Sequence, residues 1–327
     1  MVKTKVKTDF ISGIIPAMIT PMAADGAVDE GGLEELVEYL VGAGVDGVFA
    51  VGTAGEFWAL SPQEKERIFV RTVKAAAGRV PVYAGTTANT TAGAMDLARR
   101  AERAGVDCLS VLTPTFIAPD DAQLYAYYRA VAAAVEVPVL LYSNPDRTGN
   151  RLSVDLVTRL ATEVEGIVGI KDSAGDMAQT AEYLRRTPEE FRVLMGRDTL
   201  IYAGLTHGAV GAIAASANIA PELSVGIFEN FAWGDLKRAL EFQQRLAPLR
   251  SAFALGTFPA MLKAGVELLG MKAGPPRAPV GALDAGQREA LRRVLVEIGK
   301  LEGPERRVEL PESHEESPQE QEFLLGV

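Results

Sequence analysis

Val137-Pro138-Val139-Leu140-Leu141-Tyr142-Ser143 and Ile167-Val168-Gly169-Ile170-Lys171 are two short runs rich in Val, Ile and Leu. Between them, residues 154–163 place apolar side chains at helical spacing. Strands apolar on both faces and joined by a helix belong to a parallel sheet covered by helices. Reading outward, the unit repeats. Candidate strands fall at 13–20, 47–52, 80–86, 108–113, 137–143, 167–171, 192–196 and 209–215. Candidate helices fall at 30–42, 62–77, 91–104, 121–135, 154–163, 177–186, 200–205 and 222–231. Eight strand–helix units in about 230 residues predict an α/β fold, a closed (β/α)8 TIM barrel over residues 11–232.

Local chemistry agrees with these boundaries. Ser61-Pro62-Gln63-Glu64 has the N-cap, first-turn proline and third-position glutamate of a capping box. Ala43-Gly44-Val45-Asp46 recurs 61 residues later as Ala104-Gly105-Val106-Asp107, about two barrel units away. The glycines fit a barrel repeat or simply two ordinary helix ends. Beyond residue 232 the strand pattern stops, and 236–250, 258–269 and 285–301 read as helices of a C-terminal extension, 233–302. Residues 303–327 read as an acidic, disordered tail; from 305 onward it holds seven Glu and two Arg.

Composition excludes several function classes. The chain has 327 residues, 48% of them hydrophobic, which suffices for a sizeable core. Its net charge of −10, with no basic block, suits neither nucleic acid nor anionic lipid. No run of about 18 apolar residues predicts a membrane span. The start is basic but leads into no apolar signal region, and a single cysteine, Cys108, suits a reducing cytoplasm. Only two histidines exist, His207 and His314, too few for a usual catalytic zinc set. No Gly-x-Ser-x-Gly elbow accompanies His207. We therefore expect neither metal nor cofactor, and chemistry carried by Lys, Tyr, Thr, Arg or carboxylates.

In a barrel the reactive groups stand at the C-terminal ends of the strands. There Lys171 ends an otherwise apolar strand and, by alternation, shares a face with Gly169 and Ile167. Either it reaches to water from a strand end, or partial dehydration favours a neutral amine that attacks a ketone to form a Schiff base. Tyr142 ends the preceding strand, as a packed core tyrosine or as a proton shuttle beside that amine. Thr53 sits in a Gly-x-x-Gly turn that is either an ordinary tight turn or a carboxylate holder. Arg147 follows strand 5, as a surface residue or as a bidentate clamp. Arg197 follows strand 7, a common phosphate-binding position in barrels, which leaves open an enzyme of phosphorylated sugars.

Gly52-Thr53-x-Gly55-Glu56, Tyr142-x-x-Pro145-x-Arg147-Thr148-Gly149 and Gly169-Ile170-Lys171 occur in that order. Together they resemble the dihydrodipicolinate synthase/N-acetylneuraminate lyase family of pyruvate-dependent class I aldolases, over roughly residues 11–302. The resemblance implies a barrel with C-terminal helices and a homo-oligomer, tetramer or dimer. It implies that Lys171 forms the Schiff base with pyruvate and that Tyr142 relays protons. It assigns the pyruvate carboxylate to Thr53 and the Ala54 amide, turns the Ile213 carbonyl towards the site, and matches Arg147 to the acceptor-carboxylate reader.

Two departures follow. Ala54 stands where a second hydroxyl residue is usual, and Phe116 stands where the synthases carry a relay tyrosine. Both point away from dihydrodipicolinate synthesis and towards a hydroxylated 2-keto acid, of the keto-deoxy sugar acid or hydroxy-oxoglutarate type, split into pyruvate and an aldehyde. The alternatives are a 4-hydroxy-tetrahydrodipicolinate synthase, a keto-deoxy sugar acid dehydratase and an inactive keto-acid-binding relative. Arg147 and Arg197 leave positive charge for an acidic far end of the substrate. Gly93, Phe57 and Trp58 depart from the lysine-feedback site of some synthases, so no such regulation is expected.

Overall fold

A computed structural model describes residues 7–302 of the chain. The tail expected at 303–327 lies outside the described residues. Strand and helix alternate through β1 (Gly13–Pro16), α1 (Glu30–Gly42), β2 (Val48–Ala50), α2 (Pro62–Ala76), β3 (Val82–Gly85), α3 (Thr91–Arg103), β4 (Cys108–Leu112) and α4 (Asp121–Ala132). The alternation continues with β5 (Val139–Ser143), α5 (Pro145–Thr148), α6 (Val154–Glu163), β6 (Ile167–Asp172), α7 (Met177–Arg186), β7 (Arg192–Met195), α8 (Ile201–Thr206), β8 (Gly211–Ala214) and α9 (Pro221–Ala232). All seven strand pairings are parallel, in the order β1-β8-β7-β6-β5-β4-β3-β2. Closure comes from a single parallel bridge, Ala17 with Phe49, which brings β1 back to β2. The eight-stranded (β/α)8 TIM barrel read from the sequence is the observed architecture.

The strands are shorter than the apolar runs suggested. Pro81 and Pro138 have no N–H to give a ladder, so β3 and β5 begin just after them. Their carbonyls still take part: Val48 N donates to Pro81 O at 3.0 Å, and Leu109 N to Pro138 O at 2.8 Å. The repeated Ala-Gly-x-Asp segments turn out to do the same work. Gly44 and Gly105 both adopt left-handed φ, +79° and +86°, to turn out of a helix. Asp46 then accepts from Ile14 N of β1 at 2.7 Å, and Asp107 from Val82 N of β3 at 2.8 Å. Each carboxylate ties its own unit to the preceding strand. The capping box at Ser61 and Glu64 forms as read, with both reciprocal hydrogen bonds.

The pairing of β5 with β6 departs from simple alternation. Val139 pairs with Ile167, but Leu140 pairs with Gly169, so β6 carries one extra residue there. Downstream of this bulge Tyr142 lies opposite Lys171. The expected sharing of one face therefore holds between Gly169 and Lys171, and is interrupted before Gly169. The space that glycine leaves at 169 is filled by its neighbours. A Cβ added there would lie 2.3 Å from the Arg192 carbonyl and 2.8 Å from Leu140 Cδ2.

After the barrel come α10 (Leu236–Ser251), α11 (Ala260–Leu268) and α12 (Ala285–Glu297). They bury Leu246, Leu249, Leu262, Val266, Leu291 and Leu295 against the main core. The segment between α10 and α11 passes over the C-terminal mouth of the barrel, where it helps to line the site described below. Overpacking at a site of this kind costs about 1–3 kcal/mol. Gly169→Ala is therefore expected to lower the free energy of unfolding by about that amount, read as a lower urea midpoint; an unchanged midpoint would show that β6 and β7 separate freely.

Candidate active site

The C-terminal strand ends surround a cavity of about 680 Å³. Lys171, Tyr142, Thr53, Ala54, Arg147, Arg197 and Ile213, each singled out from the sequence, all line it. His207 does not. It lies exposed at the end of α8, with Nδ1 2.9 Å from Ala203 O. Among the described residues, no three His, Cys, Asp or Glu side chains converge as metal ligands.

Lys171 is 3% exposed, and its Nζ lies 4.2 Å from the centroid of the Tyr142 ring and 4.8 Å from that of Phe49. The amine thus rests against two aromatic rings in the mouth of the barrel. The Tyr142 hydroxyl is 3.1 Å from Thr53 Oγ1 and accepts from Asn144 Nδ2 at 3.2 Å. Burial alone would raise the phenol pKa. The Lys171 charge and hydrogen bonds from Thr53, Asn144 and Ser173 outweigh it and hold the phenol below its ordinary value.

The turn after β2 is strained. Val51 and Glu56 both have left-handed φ, +59° and +57°. Such conformations cost of order 1–3 kcal/mol each, more readily tolerated where the surroundings over-determine them. Gly85 is one reason Val51 can do so, since a Cβ there would lie 2.2 Å from the Val51 carbonyl. The turn displays backbone N–H groups of Thr53, Ala54 and Gly55 that donate to no partner among the described residues. Unpaired amides in a buried turn form a concavity suited to a carboxylate.

Arginines surround the outer mouth. Arg147 stands on the one-turn helix α5, with its guanidinium carbon 5.4 Å from the Phe258 ring centroid. Arg197 donates through Nε to Ser173 O at 2.8 Å and pairs with Asp146. Arg250 of α10 approaches Asp198 at 3.8 Å and stacks 4.5 Å from the Phe253 ring centroid. Burial lowers the Arg250 pKa; Asp198 opposes the shift, while Arg197 and Arg147 reinforce it.

Phe116 lies away from the cavity. Its ring is fully exposed, its φ is +72°, and it is absent from the cavity wall. Asn150 Nδ2 holds the carbonyls of Pro114 and Ile117 at 2.8 and 2.7 Å, bending this loop outward. Position 116 therefore cannot join a relay with Tyr142 within one chain. Phe57, Trp58 and Gly93 line a second cavity of about 650 Å³ that shares Thr53, Arg147, Thr257 and Phe258 with the first.

The sequence model of the Dihydrodipicolinate synthetase family matches residues 10–298. The chain belongs to that family. It is 40% identical over 292 residues to the 4-hydroxy-tetrahydrodipicolinate synthase of Methanopyrus kandleri, covering 89% of this chain and 97% of that protein. It is 38% identical over 291 residues to an uncharacterized DapA-like lyase of Halobacterium salinarum, covering 89% and 95%. Among solved structures it resembles YagE from E. coli K12, a dihydrodipicolinic acid synthase family protein in complex with pyruvate. That match has TM-score 0.86 at 32% identity and covers 89% of this chain and 99% of that one. This member of the dihydrodipicolinate synthetase family is thus a lyase of the class I aldolase type.

Several cavity residues of this family member escaped the sequence reading. Asn144 and Ser173 had a usable signal, each lying two residues beyond a singled-out side chain on the same strand end. Arg250, Phe253, Thr257 and Phe258 had none, because nothing local ties the C-terminal helices to the barrel mouth. The phenol geometry makes a direct prediction. The tyrosinate absorbance lost on Tyr142→Phe should titrate below the usual value of about 10. Removing a donor destabilises the phenolate, so Asn144→Ala should move that titration upward, and Lys171→Met should move it further. Titrations that do not respond would show that neither group reaches the phenol.

Proposed function

We propose that this lyase cleaves or forms a hydroxylated 2-keto acid through a Schiff base between pyruvate and Lys171. One observation carries the reading: a buried amine against the Tyr142 ring, with the phenol bonded to Thr53 and Asn144. The Lys171 amine attacks C2 of the keto acid, and the phenolate accepts the proton that the ammonium must lose. The phenol returns that proton to the carbinolamine hydroxyl, which leaves as water to give the imine. In the cleavage direction the C4 hydroxyl gives its proton to the Tyr142 phenolate, the C3–C4 bond breaks, and its electron pair enters the enamine. The aldehyde departs, C3 is protonated, and hydrolysis frees pyruvate. The Thr53–Ala54 turn takes the pyruvate carboxylate, with Ile213 on the facing wall.

Ala54 supports the hydroxylated substrate. Its methyl adds no hydroxyl to the chain that begins at Tyr142 and Thr53, so a substrate bringing its own hydroxyl groups supplies the missing link. Arg147, with no carboxylate partner among the described residues, supports an acidic far end, and Arg197 stands beside it. The names of relatives near 40% identity favour a second reading, 4-hydroxy-tetrahydrodipicolinate synthase. We read the working form as a cytoplasmic homo-oligomer, dimer or tetramer, a reading supported by the solvent-facing ring of Phe116.

Incubation with pyruvate and borohydride should leave a mass adduct on the peptide containing Lys171, and Lys171→Ala should lose it while keeping its fold. No adduct in the wild-type protein would sink the mechanism. Substrate class follows from assaying aspartate semialdehyde with pyruvate beside a panel of keto-deoxy sugar acids and hydroxy-oxoglutarate. A tenfold or greater kcat/KM for the semialdehyde over every panel member would establish the second reading. A separate expectation concerns Arg147→Ala. Loss of a charge-assisted bond worth about 1.5–3 kcal/mol should raise KM for the full substrate roughly tenfold to hundredfold while sparing pyruvate trapping. Equal loss of both would make Arg147 structural.

A further inference from the structure

Glu56 and Lys263 form an ion pair that the chemistry above does not use. Glu56 Oε1 lies 2.6 Å from Lys263 Nζ, with the two side chains 0% and 1% exposed. Oε1 has no well-aligned hydrogen-bond donor, so this contact is chiefly charge against charge. The other oxygen, Oε2, accepts from the Arg277 backbone N–H at 2.8 Å. Lys263 Nζ also donates to Pro275 O at 2.9 Å, which closes the network on the C-terminal side. The Arg277 side chain extends it by donating to Gly26 O and Ala59 O and pairing with Glu64.

The placement of this network is informative. Glu56 ends the strained turn that displays the Thr53 and Ala54 amides, and is itself one of its two left-handed residues. The rest of the turn is held lightly. Thr20 Oγ1 donates to Gly55 O at 2.7 Å, while Glu56 N reaches Thr53 O, and Phe57 N reaches Gly52 O, only at 3.3 Å. The Glu56 carboxylate itself is held by α11 and the segment after it, more than 200 positions along the chain.

We propose that Lys263 is a positioning residue for pyruvate, acting through Glu56 to hold the Thr53–Ala54 turn in its carboxylate-binding shape. This deepens the pyruvate reading and rests on it. Lys263 touches no substrate. Its work is to fix the left-handed Glu56 so that the amides two and three residues earlier converge on one point. The C-terminal helices thereby become part of the binding site as well as a cover for the barrel.

The test reads the pyruvate concentration giving half-maximal borohydride adduct, separately from the maximal adduct. In Lys263→Met the half-saturating concentration should rise at least tenfold, while the folded fraction still reaches full labelling at high pyruvate. Because one buried charge left alone destabilises the fold, a charge-free partner, Glu56→Leu/Lys263→Met, is measured beside it. The double variant should regain much of the lost thermal stability yet keep the raised half-saturation, since the Arg277 N–H has lost its acceptor. Lys263→Arg, which keeps the charge, should move half-saturation back towards wild type. Wild-type half-saturation in the double variant would overturn the proposal and confine the pair to stability. If the wild-type protein traps no pyruvate at all, the pyruvate reading falls, and this proposal falls with it.

Discussion

One extra residue in β6 decides what faces what in this barrel. Without the bulge that lets Leu140 pair with Gly169, Tyr142 would lie opposite Ile170, and Lys171 would pair with Ser143. A one-residue slip in register exchanges the two faces of a strand. With the bulge, the phenol and the amine stand opposite each other at the mouth of the barrel, 4.2 Å from ring centroid to Nζ. Gly169 is the companion requirement, because only a residue without Cβ lets β7 and Leu140 close in beside the bulged strand.

From that juxtaposition the electrostatics follow. Burial would raise the Tyr142 phenol pKa, and the neighbouring Lys171 charge acts in the opposite direction. The hydroxyls and amide around Tyr142 add to the effect, and the phenol is held below its ordinary pKa. The arginines sit farther out, partly neutralised by Asp146 and Asp198. The site thus grades from a buried amine–phenol pair to an arginine-lined rim.

Strain and burial meet at the turn after β2. Left-handed Val51 and Glu56 are unfavourable alone, and two fully buried charges are unfavourable alone. Here they occur together: the ion pair fixes the residue that the turn strains, and the turn supplies the carboxylate that the buried lysine requires. The C-terminal helices consequently contribute on two sides of the mouth, through Lys263 behind the turn and through Arg250 and Phe258 at the rim.

Local patterns determined much of this protein. Apolar runs and helical spacing are short-range properties of the chain, so eight strands, their intervening helices and their order were legible directly. Lys171, Tyr142, Thr53 and Arg147 were legible because each stands at or just beyond the C-terminal end of a strand, the end that must face the site. Alternation, however, assumes regular pairing. It could not see the bulge at Val168, which depends on how two strands meet. Nor could it see that the loop carrying Phe116 bends away, because that depends on Asn150 reaching back to Pro114 and Ile117. Arg250 and the Glu56–Lys263 pair lay hidden for the same reason. Their partners are distant in sequence, and only folding brings such groups close enough for charge and shape to act between them.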